Sequence, residues 1–100
     1  MNAKDLTFGV ELELTVGERT VQKERMTIGN YHHGVQVPFL PTGWTAERDA
    51  SIQTTPGRTA CEIVSPILKG EEGIKEVIKV VEILKNKSFS PNATTGCHYV

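Results

Sequence analysis

The chain has 100 residues, which is enough for one small domain but not for two. Its 11 basic residues nearly balance its 12 acidic ones, so no strong field would attract nucleic acid or an anionic membrane. No apolar stretch approaches the roughly 18 residues of a membrane helix, and the start M-N-A-K-D-L lacks a signal-peptide core. We therefore expect a cytoplasmic protein without nucleic-acid or membrane partners.

The first predicted element is a strand from Leu6 to Val16, where apolar residues occupy every even position. Strict alternation is typical of a half-buried strand, and it places Glu11 and Glu13 together on the polar face. Two neighbouring carboxylates repel each other unless a cation or a donor cluster offsets the repulsion. A divalent metal would explain the pair, and two merely solvated carboxylates are the alternative.

The middle of the chain is less regular. Residues 17–30 are polar and fit a short helix or a surface strand equally well. Val35 to Leu40 alternates briefly, but Pro38 restricts it to a sheet edge or a bulge. A turn is predicted at residues 41–43, followed by a strand from Trp44 to Asp49. Trp44 is expected to pack in the core, and a platform for substrate is the alternative.

The second half contains a predicted central strand and a helix. Ala60 to Ile67 is mostly apolar, as expected for a strand covered on both faces. Glu71 to Lys85 repeats apolar residues at helical spacing and ends before Ser90-Pro91. We expect its apolar stripe to dock on the sheet: Ile74, Val77, Ile78, Val80, Val81, Ile83 and Leu84. Cys61 and Cys97 are expected to be reduced thiols.

Other polar residues could complete a metal site. Glu62 lies in the most apolar strand, so its carboxylate should be bound to metal or paired with Arg58 or Arg48. His98 follows Gly96-Cys97, and three carboxylates with an imidazole would suit magnesium or manganese.

Two further interpretations are weaker. A zinc site built from the histidines and cysteines is disfavoured, because the cysteines lack C-x-x-C spacing and the side chains of His32 and His33 point apart. Asp49 and Ser51 could present a carboxylate and a hydroxyl after a strand, and an ordinary Asx or Ser turn is the simpler interpretation.

The order of these blocks is more specific than any one of them. F-G-V-E-L-E-L, G-W-T-A-E-R-D-A-S-I, C-E-I-V-S-P-I-L-K-G with a helix, and T-G-C-H-Y-V follow one another from Leu6 to Val100. This order resembles the amidoligase family, ATP-dependent carboxylate–amine ligases related to glutamine synthetase and glutamate–cysteine ligase. The resemblance implies an α+β fold: a curved antiparallel sheet with one main amphipathic helix packed on it, like the N-terminal part of a glutamine synthetase-like catalytic domain.

The resemblance also implies roles for individual residues. Glu11, Glu13, Glu62 and His98 would be metal ligands for Mg²⁺ or Mn²⁺. Glu62 and Asp49 would be catalytic, and His98 and Ser51 would contact ATP. Ala50 replaces the usual glycine of the D-G-S block, and Val100 stands where a second histidine is expected.

The implied activity is amide-bond formation between a carboxylate and an amine, through an acyl phosphate. The chain ends at the opening of a predicted strand, so we expect one incomplete domain, residues 1–100, that is the front part of a longer protein and inactive alone. The alternatives are a non-catalytic metal- or nucleotide-binding remnant and a protein-interaction module. An exposed sheet edge and apolar face would favour homo-oligomers or aggregation.

Overall fold

The computed structural model describes residues 6–30, 32–48 and 56–91, and the backbone of residues 97–99. The elements follow in chain order: β1 (Thr7–Phe8), β2 (Val10–Gly17), α1 (Glu18–Lys23), β3 (Val35–Gln36), β4 (Thr45–Glu47), β5 (Arg58–Val64), β6 (Leu68–Lys69), α2 (Gly70–Asn86) and β7 (Cys97–Tyr99).

Antiparallel strands dominate the described part of the chain. Five of them form one sheet in the order β3-β4-β5-β2-β7, and β1 pairs with β6 in a small second sheet. Every pairing between these described strands is antiparallel. The predicted α+β class with antiparallel strands and one main helix is therefore confirmed, while the likeness to a glutamine synthetase domain stays a prediction.

The long first strand is divided at Gly9, because its two parts pair with different partners. Phe8 lies opposite Leu68 in the small sheet, whereas Val10 to Gly17 runs between β5 and β7. At the junction, the Val10 amide donates to the Ser65 hydroxyl at 2.8 Å, and the Ser65 amide donates to the Val10 carbonyl. These two bonds hold the end of β5 against the start of β2.

The large sheet has an apolar and a polar face, as the alternation predicts. Leu12 lies opposite Ile63, which in turn lies opposite Ala46, and all three side chains are buried. They join a continuous core with Val80 and Leu84 of α2. The helix and the apolar face of the sheet thus bury one another, and the alternate positions of β2, β5 and β4 are left on the other face.

The helix forms where predicted, but its buried stripe is narrower than expected. Val80 and Leu84 are buried, whereas Ile74, Ile78 and Val81 remain 54%, 57% and 42% exposed. Gly73 explains part of the difference: a Cβ there would lie 2.9 Å from the Leu68 side chain, so α2 approaches β6 closely along its glycine side. The expectation that the whole apolar stripe docks on the sheet is wrong for those three exposed residues.

The segment between β2 and β4 contains a short helix and an edge strand. Residues 18–23 form the short helix α1, and Val35–Gln36 forms an edge strand of the sheet, as Pro38 predicts. The turn before β4 is also confirmed: Gly43 has a φ of +97°, a value that favours glycine. Its amide donates to the Gln36 side chain at 2.7 Å, which closes the loop.

Trp44 is fully buried, as the sequence predicts, and it also links the sheet to the helix. Its indole N–H donates to Oε2 of Glu76 at 2.8 Å. Buried tryptophans usually satisfy this donor, and a carboxylate acceptor strengthens the bond.

Cys61 is a buried free thiol in β5, in agreement with the expected reduced state. Burial raises its pKa from 9.0 to about 12. Because the thiolate is favoured in the unfolded chain, this group stabilises the fold fully below pH 9 and loses that contribution as the pH rises toward 12.

We therefore expect Cys61 to resist thiol reagents at pH 8 in the folded protein and to react fully in denaturant. The measurement is release of thionitrobenzoate from Ellman's reagent by a Cys97→Ser variant, in which Cys61 is the remaining thiol. Equal rates with and without denaturant would contradict the burial of Cys61.

None of the helices described has the length and apolar character needed to span a bilayer. The cytoplasmic location stays a prediction.

Candidate metal centre

Strand register brings three carboxylates into one row across the polar face of the sheet. Glu13 of β2 pairs with Glu62 of β5, and Glu62 pairs on its other side with Glu47 of β4. Directly opposite residues in an antiparallel pair have Cβ atoms about 5 Å apart and lie on the same face. Glu62 is therefore the central member of a cross-strand row of three acidic residues.

A second pairing lies beside this row. Glu11 is two residues before Glu13, so it shares the polar face at a spacing of about 7 Å along the strand. Its register partner on β7 is His98. The four residues predicted as metal ligands, Glu11, Glu13, Glu62 and His98, thus occupy neighbouring positions on β2, β5 and β7.

The row is unusual because two of its carboxylates are largely removed from water. Glu62 is 6% exposed and Glu47 is 9% exposed. Like charges directly opposite on a sheet are destabilising, and burial strengthens their repulsion by lowering the dielectric. Such a row requires compensation by a positive group or by strong hydrogen-bond donors.

Two arginines were expected as alternative partners of Glu62: Arg48 is exposed directly after β4, and Arg58 is bound elsewhere. The Arg58 guanidinium donates to the side chain and the carbonyl of Thr15, and to Ser88 and Ser90. Arg58 therefore joins β2 and β5 to the chain after α2. These contacts give Arg58 a structural role with partners that are not members of the acidic row.

A loop passes close to the β4 end of the row. The Gly29 amide donates to the Ala46 carbonyl, and the Arg48 amide donates to the Gly29 carbonyl. A Cβ at Gly34 would lie 2.5 Å from Thr45 Oγ1 and 3.5 Å from Oε2 of Glu47. Glycine at position 34 thus lets the backbone approach the Glu47 carboxylate closely.

The donor chemistry of this face fits a hard divalent cation. Carboxylate oxygens are the ligands that Mg²⁺ and Mn²⁺ prefer, and an imidazole is compatible with Mn²⁺. In the part of the chain that the structure describes, no three of these side chains converge within coordinating distance of one point. Glu13 and Glu62 are each engaged in another interaction.

The zinc alternative gains no support from the described residues. Cys61 is buried on the apolar face of β5, opposite in orientation to its neighbour Glu62. His32 and His33 are exposed in the loop before β3. Asp49 and Ser51, the predicted catalytic and ATP-contacting residues of the second block, lie outside the described residues.

Glu47 is the residue that sequence reasoning missed. The predicted strand Trp44–Asp49 contains this residue, but no motif in the sequence marks it as a ligand. The signal was available in the alternation of W-T-A-E: Trp44 and Ala46 are buried in the core, so Thr45 and Glu47 share the opposite face. Only the strand order places that face beside Glu62.

Comparison with known proteins agrees with the motif order. A family model described as "Putative amidoligase enzyme" matches residues 4–99. No curated protein and no solved structure shows significant similarity to the chain. Since the family model covers almost the whole chain, from before β1 to the end of β7, the chain belongs to the amidoligase family.

Proposed function

We propose that this chain forms the N-terminal part of an ATP- and Mg²⁺-dependent ligase that joins a carboxylate to an amine. The observation that carries the proposal is the acidic row on the polar face of the sheet, with Glu62 at its centre and Glu11 beside it. Membership of the amidoligase family supports the same reaction class.

The physical argument concerns charge. In phosphoryl transfer from ATP to a carboxylate, negative charge accumulates on the phosphoryl and carboxylate oxygens, and bound cations neutralise it. Glu11, Glu13 and Glu62 would hold such a cation, with His98 contributing at the β7 end. The carboxylates of the row would repel the phosphates of ATP. A cation bound between them would reverse this effect and attract the phosphates.

The proposed reaction has two steps. The substrate carboxylate takes the γ-phosphoryl group of ATP, giving an acyl phosphate and ADP. The amine then attacks the acyl carbon, phosphate leaves, and the nitrogen loses a proton to give the amide. Glu62 and Asp49 are the proposed catalytic residues, and His98 and Ser51 are the proposed ATP contacts. The carboxylate and amine could be small amino acids, peptides or cell-wall fragments.

The test uses the complete natural polypeptide that contains these 100 residues. We expect ADP release that depends on Mg²⁺, on a carboxylate and on an amine. Glu11→Ala and Glu13→Ala should each reduce that turnover at least about 100-fold, because each removes a cation ligand. Glu82→Ala, an exposed position on α2, is the matched control and should leave turnover unchanged.

Two outcomes would count against the proposal. Unchanged turnover in both variants would remove Glu11 and Glu13 from the cation site. Binding of Mn²⁺ and a non-hydrolysable ATP analogue, without turnover for any carboxylate and amine tried, would favour the non-catalytic alternative.

A further inference from the structure

Glu47 differs from the other acidic residues of the row in its contacts. Its side chain is 9% exposed, and no hydrogen bond or ion pair joins its carboxylate to the residues that the structure describes. Glu47 is enclosed as a residue and its carboxylate has no partner among the described residues, so the carboxylate loses much of its hydration and a bound cation would stabilise it.

The same carboxylate is still within reach of a small ion. Among the described residues, no side-chain oxygen or nitrogen that lacks a partner is completely buried. The Glu47 oxygens therefore keep some contact with solvent, although the side chain as a whole is enclosed.

The neighbour across the strand strengthens this argument. Glu47 is paired in register with Glu62, and Glu62 is 6% exposed. Two carboxylates whose Cβ atoms are about 5 Å apart can both coordinate one cation. Without a cation, the two negative charges repel each other. A bound cation would thus supply the missing partner of Glu47 and offset the repulsion within the pair.

We propose that Glu47 is a cation ligand, and that Glu47 and Glu62 together hold a divalent cation at the β4 side of the acidic row. The inference deepens the proposed function and rests on its cation site. It adds a ligand from β4 to the predicted set, which comes from β2, β5 and β7. The preferred ions are Mg²⁺ and Mn²⁺, since the donors are carboxylate oxygens.

The experiment measures Mn²⁺ binding directly, without turnover. Free Mn²⁺ is titrated by electron paramagnetic resonance in the presence of the wild-type chain, Glu47→Gln, Glu47→Asp and the exposed control Glu82→Gln. Glu47→Gln is expected to weaken the binding of Mn²⁺ at least about tenfold, since changes to residues that only support a metal ligand already cost about 10–100-fold. Glu47→Asp should bind more tightly than Glu47→Gln because it keeps the charge, and Glu82→Gln should bind as the wild type does.

Thermal unfolding provides an independent measurement. Saturating Mn²⁺ should raise the Tm of the wild-type chain and of Glu82→Gln by the same amount, and that of Glu47→Gln by less, since stabilisation follows binding to the folded state. In EDTA, Glu47→Gln should unfold at or above the wild-type temperature because it removes a charge opposite Glu62. If Glu47→Gln is folded in EDTA, then weaker Mn²⁺ binding by this variant reflects the loss of a ligand and not unfolding of the chain.

The results separate this inference from the proposed function. If Glu47→Gln binds Mn²⁺ within twofold of the wild type while Glu13→Gln does not bind, Glu47 is not a ligand and the proposed site survives. If the wild-type chain binds no Mn²⁺ at millimolar concentration, the cation site and the role of Glu47 are both overturned.

Discussion

Glu62→Gln is expected to abolish cation binding more completely than any other single change on the polar face. Glu62 lies opposite both Glu13 and Glu47, so every cation held by the row must lie within reach of it. Glutamine keeps the size of the side chain and one oxygen but removes the charge. We expect the affinity for Mn²⁺ to fall at least about 100-fold, more than in Glu47→Gln.

The measurement is the same Mn²⁺ titration, with turnover of the complete natural polypeptide as a second observable. Glu82→Gln removes one negative charge from an exposed turn of α2 and controls for the change in net charge. If Glu62→Gln binds Mn²⁺ as tightly as the control, the Glu62 carboxylate does not coordinate the ion. In that case, contacts with other protein groups, and not a cation, would compensate the burial of the Glu62 carboxylate.

The order of effects also tests the geometry of the row. Glu62 has an acidic neighbour on each side, whereas Glu13 and Glu47 each have one. If one row binds the cation, the losses should be largest at Glu62 and smaller at its two ends. Equal losses at Glu11, Glu13 and Glu62 would instead favour a site centred on β2.

Much of the fold could be predicted from local patterns. The alternation around Glu11 and Glu13 fixed both the strand and the face of each residue, and the spacing of apolar residues located α2. Pro38 correctly restricted β3 to the edge of the sheet. Each of these features depends on one segment of chain and its own periodicity, which is why the sequence suffices.

Features that depend on pairing between distant segments could not be predicted in this way. The neighbour of Glu62 is decided by strand order and register, so nothing in W-T-A-E-R-D alone indicates that Glu47 faces it. The division of the first strand at Gly9 likewise depends on β6, which is only two residues long. The exposure of Ile78 depends on how α2 is rotated against β6, and helical spacing does not specify this.

The core also leads to a quantitative prediction at Ile63. This residue is fully buried in β5, the central strand, with Leu12 opposite on one side and Ala46 on the other. Truncating a buried isoleucine removes apolar contacts and leaves a cavity that a sheet held on both sides cannot easily close. We expect Ile63→Ala to lower the free energy of unfolding by about 2–5 kcal/mol and Ile63→Val by about 0.5–1.5 kcal/mol.

A nearby isoleucine provides the matched control. Ile67 follows β5 and is 85% exposed, so Ile67→Ala should change the free energy of unfolding by no more than about 0.5 kcal/mol. Unfolding in urea can be followed through Trp44, the only tryptophan, because its fully buried indole becomes exposed. Similar losses for Ile63→Ala and Ile67→Ala would contradict the placement of β5 at the centre of the sheet. A loss at Ile63 alone would show that the apolar face of β5 anchors this strand in the core, and the same strand carries Glu62 on its polar face.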